Sequence, residues 1–338
     1  MQSAVMLLLS LFLLVVLPES SAAGLCHPDD RRTLTAFKNS FTSPDPFSSW
    51  GPPFFDCCDW NSVSCDQTTG RVTGLDVGRY RDLTGTIPPS LANLTHLVVL
   101  RLHKMDKLAG QIPPALAQLS QLKFLIISWT NISGPIPDFF TRLKNLEHLD
   151  LSFNRLSGSI PPSLPTLPFL SAIDLSRNQL TGPIPQTFGR YFPKTAPAII
   201  NLSHNKLSGP LPSSLSSVNF SSIDVSRNNL SGDASVFFGE GKMTSSIDIS
   251  RNGFEFDLSK VRFMEGVDAV DISHNRIYGE IPQQITDAVF LQFLNVSYNR
   301  LCGEIPTGWK LRYRSEAWDN SSFSHNRCLC GIPLDPCK

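Results

Sequence analysis

Apolar residues recur in this chain at two short spacings nested within one longer period. The stretch Leu146-Glu147-His148-Leu149-Asp150-Leu151-Ser152-Phe153-Asn154-Arg155-Leu156-Ser157-Gly158-Ser159-Ile160-Pro161 shows the unit. Leu149 and Leu151 alternate with polar residues, which predicts a short strand with the leucines turned inward and their neighbours facing solvent. Asn154 should also point inward, where its amide can satisfy backbone groups at a bend. Gly158 permits that turn, Pro161 fixes it, and segments such as Pro162-Ser163-Leu164 predict short helical turns on the far side.

The unit repeats about every 24 residues. Its asparagines fall at Asn154, Asn178, Asn205, Asn228, Asn252, Asn275 and Asn299, with Thr130 in the preceding slot. Two earlier turns are read from Leu75-Asp76-Val77 leading to Ile87-Pro88, and from Leu100-Arg101-Leu102 leading to Ile112-Pro113. This is a leucine-rich repeat with the Leu-x-Gly-x-Ile-Pro ending of plant proteins. About ten turns result, against the roughly three that a stacked core needs. The expected fold is α/β: a leucine-rich-repeat right-handed solenoid with a parallel concave sheet, short convex helical turns and disulfide-stapled caps. The expected segments are a signal peptide at 1–23, an N-terminal cysteine-rich cap at 24–70, repeats at 71–301 and a C-terminal cysteine-rich cap at 302–338. Function is then expected on one repeated surface rather than in a pocket.

Stacking coils at about 4.8 Å turns each strand position into a column. One column reads Asp150, Asp174, Asn201, Asp224, Asp248, Asp271, Asn295; two residues on comes a row of serines from Ser152 and Ser176 to Ser297; then Phe153, Arg177, His204, Arg227, Arg251, His274, Tyr298. The concave face therefore carries an acidic stripe beside a basic one. Adjacent carboxylates about 5 Å apart repel by about 0.8 kcal/mol in water, a tolerable cost that leaves the face attractive to cationic partners. Neutralisation of the stripe by Arg177, Arg227 and Arg251 is the competing expectation.

Residues Ala4 to Leu17 form an apolar run broken only by Ser10 and followed by small residues, which predicts a secretory signal peptide cut near Ala23 or Gly24. Fourteen residues fall short of the about 20 that span a bilayer, so no membrane insertion is expected. Cys26, Cys57, Cys58 and Cys65 precede the first repeat, and Cys302, Cys328, Cys330 and Cys337 follow the last. Eight cysteines permit 105 pairings, and pairing within each cluster still leaves nine. Secretion favours oxidation over a metal site. A short capping helix is expected near Pro28 to Lys38, with Trp50 and Trp60 covering the open end. Lys plus Arg equals Asp plus Glu at 29 each, so net charge gives no reason to expect nucleic acid. No phosphate loop, nucleophile elbow or metal-binding helix appears, so neither an enzyme nor a cofactor is expected.

Two turns lose the regular ending, at Gly232-Asp233-Ala234-Ser235-Val236-Phe237-Phe238-Gly239 and at Phe254-Glu255-Phe256-Asp257-Leu258-Ser259-Lys260-Val261. Together with Asn275-Arg276-Ile277-Tyr278-Gly279, Leu301-Cys302-Gly303-Glu304-Ile305-Pro306, Cys328-Leu329-Cys330-Gly331 and the eight-cysteine frame, they resemble plant polygalacturonase-inhibiting proteins across about the whole mature chain. The resemblance implies a cell-wall protein of plant defence with a second, smaller sheet, and a target among fungal or insect endopolygalacturonases. It implies the bridges Cys26 to Cys57, Cys58 to Cys65, Cys302 to Cys328 and Cys330 to Cys337. It also implies enzyme contact through an acidic pocket at Asp150, Ser152, Asp174, Ser176, Asn201 and Asp224, tuned by strand-entrance residues Ser171, Ile199, Ser245 and Gln292. The basic column would separately hold pectin, aided by His204 and His274 at mildly acidic pH.

Acceptors for N-glycans occur at Asn93, Asn131, Asn201, Asn219, Asn229, Asn295 and Asn320. Sugars on Asn201 and Asn295 would obstruct the recognition face, so the outer ones, such as Asn93, are expected to be used first. The competing function is an extracellular recognition or signalling module for a peptide, a receptor ectodomain or pectin. Ice binding, which favours flat threonine-rich arrays, suits a charged concave face poorly.

Overall fold

Two inward side chains flanking one outward residue make the strand of each coil. Leu149 and Leu151 are fully buried, as are Leu175 with Ile173 and Val225 with Ile223 in later coils. The computed structural model describes residues 25–42, 47–52, 56–193, 197–308 and 318–338; the expected signal peptide lies outside the described residues. Strands Val72–Gly78, His148–Asp150, Ala172–Asp174, Ala198–Asn201, Phe220–Asp224, Ser246–Asp248, Ala269–Asp271 and Phe293–Asn295, with the first halves of Val99–Gly110 and Phe124–Pro135, pair in parallel as one sheet. Strand Val63–Cys65 runs antiparallel to Val72–Gly78 and covers that edge.

Past the bend a second, narrower sheet forms from Arg155–Gly158, Gln179–Gly182, Lys206–Pro210, Asn229–Gly232 and Gly253–Phe254, and a three-stranded piece from Tyr278–Gly279, Arg300–Glu304 and Cys328–Cys330. The return side of most coils holds 3-10 turns of three to five residues, such as Pro89–Asn93, Asp138–Arg142 and Gln283–Asp287. Strands pack more closely than helical turns, so the sheet lies on the inner, concave side. The two irregular turns keep the coil by a change of filling: Phe220, Phe237, Phe254 and Phe263 are among the largest fully buried side chains.

The asparagines form a buried ladder. Asn178 donates from Nδ2 to the carbonyls of Leu151, Leu175 and Ser176 and accepts the Leu156 N–H at Oδ1, so one side chain ties two coils together. The ladder continues past the expected repeat boundary at 301. Asn326 donates to the carbonyls of Val296 and Phe323 and accepts the Leu301 N–H, which makes Phe323-Ser324-His325-Asn326 a further coil inside the cap.

The residue before each ladder position is left-handed, with φ between 53° and 59° from Lys104 through Trp129, Phe153, Arg177, His204, Arg227, Arg251, His274 and Tyr298 to His325. That conformation costs a non-glycine residue roughly 1 kcal/mol or more, and the ladder bonds on either side hold it.

The N-terminal cap is the helix Pro28–Lys38, whose Asp30 is wholly buried. Asp30 takes a bidentate contact from Arg71 and the Val72 N–H, locking helix to sheet. Trp50 stacks on Trp60 at 5.2 Å over the end of the core. The cysteines pair Cys26–Cys57, Cys58–Cys65, Cys302–Cys328 and Cys330–Cys337. Among the described residues no helix is long and apolar enough to cross a membrane.

Candidate partner-binding face

The acidic column is real in register: Asp150 pairs with Asp174, Asp174 with Asn201, Asn201 with Asp224, Asp224 with Asp248, Asp248 with Asp271, and Asp271 with Asn295. Each carboxylate has a local task as well. Its Oδ1 accepts the N–H two residues on, at 2.9 Å in Asp150, Asp174, Asp224, Asp248 and Asp271, closing a turn where the strand ends. Asn201 and Asn295 make the same bond through their amide oxygens.

These carboxylates are half-buried and, among the described residues, none has an ion-pair partner within 4 Å, so Arg177, Arg227 and Arg251 do not neutralise them by contact. Burial raises the Asp174 carboxyl above its ordinary range, opposed by bonds from Ser176 and reinforced by Asp150 and Asp224. Burial raises Asp248 to about 6, with Asp224 and Asp271 adding to the effect. Nearer the N-terminus the same face is paired instead: Arg101 meets Asp76 and Lys123 meets Glu147, both at 2.9 Å.

The expected site residues divide by exposure. Arg177, Ile199, Arg227, Arg251, Gln292 and Tyr298 are exposed, and Ser171, Asn201, His204, Ser245 and His274 are half-buried. Ser152 and Ser176 are only 4% and 3% exposed, because the serine row sits where the coil turns inward, and so they offer a partner almost no surface. The strand-entrance residues do not share one column. Ile199 pairs with Ala172 and Ser222, one place beyond Ser171, because it stands six residues before its ladder asparagine and Ser171 stands seven before its own.

His204 and His274 also depart from expectation. Burial lowers both below the ordinary histidine range, and Arg177 and Arg227 beside His204, or Arg251 beside His274, lower them further. Both therefore take up a proton at lower pH than an ordinary histidine, which weakens the charge they would add to the basic column.

That column is a stack of flat groups. Trp129 lies on Phe153 with ring centroids 3.5 Å apart, and the Arg177 guanidinium sits over Phe153. At the other end His274, Tyr298 and His325 stack in succession at 4.1 Å each. Sequence reading began the column at Phe153 and ended it at Tyr298, and so missed Trp129 and His325. Both were marked by position, Trp129 directly before the Thr130 slot and His325 between Ser324 and Asn326.

Residues 27–66 match the leucine rich repeat N-terminal domain, and 120–180, 198–218 and 290–310 match leucine rich repeats. The chain is similar to a polygalacturonase inhibitor of Pyrus communis, 54% identical over 316 residues, covering 94% of this chain and 93% of that one. It is similar to polygalacturonase inhibitor 1 of Phaseolus vulgaris, 53% identical, covering 97% and 96%. Among solved structures it is similar to a plant ice-binding protein, with a TM-score of 0.87 and 40% identity over 93% of this chain and 98% of that one.

Proposed function

The chain belongs to the plant polygalacturonase-inhibitor family of leucine-rich-repeat proteins, and on that premise we propose that it inhibits endopolygalacturonases by docking its concave sheet over or beside their substrate cleft. An enzyme that grips polygalacturonate needs lysines and arginines along its cleft, since its substrate is an anionic polymer. Unpaired carboxylates arrayed at strand spacing meet such cations and exclude the substrate sterically, with no covalent step. The observation that carries this reading is the column from Asp150 to Asp271, half-buried, in register and without ion-pair partners. Like charges held this way cost stability, and a cationic partner relieves the cost. The place of action is the plant cell wall after secretion, and the enzymes are those of fungi or insects.

Pectin is a second partner in this reading. Arg177, Arg227 and Arg251 are exposed, carry no ion pair among the described residues, and line the edge beside the acidic stripe.

The test mixes the secreted protein with a panel of fungal endopolygalacturonases and follows reducing ends released from polygalacturonate. Inhibition of at least one enzyme is expected, and a broad panel without inhibition would favour a signalling module instead. Changing Asp150 and Asp224 together to Lys should weaken inhibition at least tenfold, about 1.4 kcal/mol, with the fold intact by circular dichroism. Unaltered potency would remove the acidic column from the mechanism.

A further inference from the structure

The asparagine ladder has one rung unlike the rest. Every other ladder asparagine from Asn154 to Asn326 is followed by Arg, Gln, Lys or Asn, whereas Asn252 is followed by Gly253, and Asn252-Gly253 is the one Asn-Gly pair in the sequence. That pair carries a chemistry of its own. An asparagine side-chain carbonyl lies within reach of the next residue's backbone nitrogen, and glycine, without a Cβ, lets the two meet with least hindrance. The nitrogen, deprotonated by hydroxide, bonds to Cγ; the Cγ–Nδ2 bond breaks and ammonia leaves, which yields a cyclic imide. Water then opens the imide at either carbonyl, to aspartate or to isoaspartate with the backbone rerouted through the side chain.

The closed fold immobilises both reacting groups. Asn252 Nδ2 donates to the carbonyls of Val225, Ile249 and Ser250, and its Oδ1 accepts the Leu230 N–H. Gly253 is fixed in the two-residue strand Gly253–Phe254, in parallel register with Ser231. Yet the second sheet is least continuous here. Beyond Gly253–Phe254 it is interrupted, an isolated bridge between Asp257 and Tyr278 leads on to the three-stranded piece, and the regular Leu-x-Gly-x-Ile-Pro ending is missing. Local opening starts from segments held by few such bonds.

We propose that Asn252 is a deamidation site gated by opening of its own coil, and that the reaction is a one-way break in the ladder. A carboxylate at position 252 has no N–H to give, so the carbonyls of Val225, Ile249 and Ser250 lose their donor and face a negative charge instead. Isoaspartate also lengthens the backbone between Arg251 and Gly253, which shifts the register of the coil. The opened coil then cannot close as before. It carries Asp248 and Arg251, so on the reading that a partner docks on the concave sheet, the damage reaches that face from behind.

The whole chain is made in a bacterial periplasm, where no glycan is added, as wild type and as Gly253→Ala. Both are held at mildly alkaline pH in guanidinium chloride at a series of concentrations below the unfolding midpoint, and also fully unfolded, and their peptides are mapped by mass for replacement of NH by O. In the unfolded wild type Asn252 should react first, and Gly253→Ala should slow it at least about tenfold. In the folded wild type its rate should rise with denaturant on a slope shallower than that of global unfolding, while exposed Asn39 and Asn61, each followed by serine, change little. The acidic product, separated by anion exchange, should melt about 3 °C or more below the intact chain. An unreactive Asn252 in the unfolded chain, a slope equal to that of global unfolding, or a product that melts like its parent would each overturn the proposal. These readings need no target enzyme, so they stand or fall apart from inhibition. If Gly253→Ala does not fold, the unfolded comparison and the wild-type denaturant series decide it.

Discussion

Asp248 shows how one side chain serves both fold and surface. Its Oδ1 closes the turn to Ser250 while burial and the flanking carboxylates raise it to about 6. An acid whose folded value lies above its unfolded value of 3.8 binds more protons when folded. Its stabilising contribution is complete below that unfolded value and is lost as pH rises through about 6. Asp248→Asn should therefore stabilise the protein by of the order of 1 kcal/mol at pH 7, after allowance for solvent screening, and by nothing near pH 4. Asn201 and Asn295 already close the same turn with an amide. The change creates an Asn-Ile-Ser acceptor, so both chains are made in a bacterial periplasm and compared by urea unfolding across pH. An equal effect at both pH values would refute the shifted carboxyl.

At the scale of the coil, the asparagine ladder decides whether neighbouring turns stay in register. Strands of three residues bring few backbone bonds of their own, and the bend after them would leave carbonyls buried without donors. Asn178 supplies three such bonds and accepts a fourth across coils. Asn178→Ala should cost about 3 kcal/mol or more, because several buried backbone groups lose partners at once. Asn178→Asp should be no better, since the amide donors vanish and a buried charge replaces them. Urea unfolding measures both, and a loss below about 1 kcal/mol for Asn178→Ala would mean that the backbone satisfies itself without the ladder.

Over the whole molecule a formal net charge of zero hides separation into stripes. Carboxylates line the strand ends, and arginines with histidines line the bend beside them. Association with a cationic enzyme should thus depend on pH through the acidic stripe. As pH falls from 7 to about 5, Asp248 is neutralised and Asp174 shifts the same way, while His204 and His274 stay uncharged further into acid than ordinary histidines. Affinity at fixed ionic strength should fall with acidification, and Asp248→Asn, again made without glycans, should flatten that profile against the same enzyme. A profile unchanged by the substitution would place the titrating group elsewhere. Inhibitors and an ice-binding protein share this scaffold, so what distinguishes them must lie on solvent-facing columns rather than in the core.

Period and alternation in the sequence were enough to specify the solenoid, the inward leucines and asparagines, and the order of the acidic column, because each coil repeats one solution to one local problem. Position in a periodic chain maps directly onto position in space. Tertiary structure alone decided which members of a column are accessible. Ser152 and Ser176 look like surface residues by spacing yet are buried where the chain bends inward. The lowered charging of His204 and His274 and the raised Asp248 arise first from burial in the stacked coils and then from charged neighbours one coil away in space. The stack from Trp129 to Arg177 has the same origin, since only coils packed at strand spacing bring those flat groups into contact.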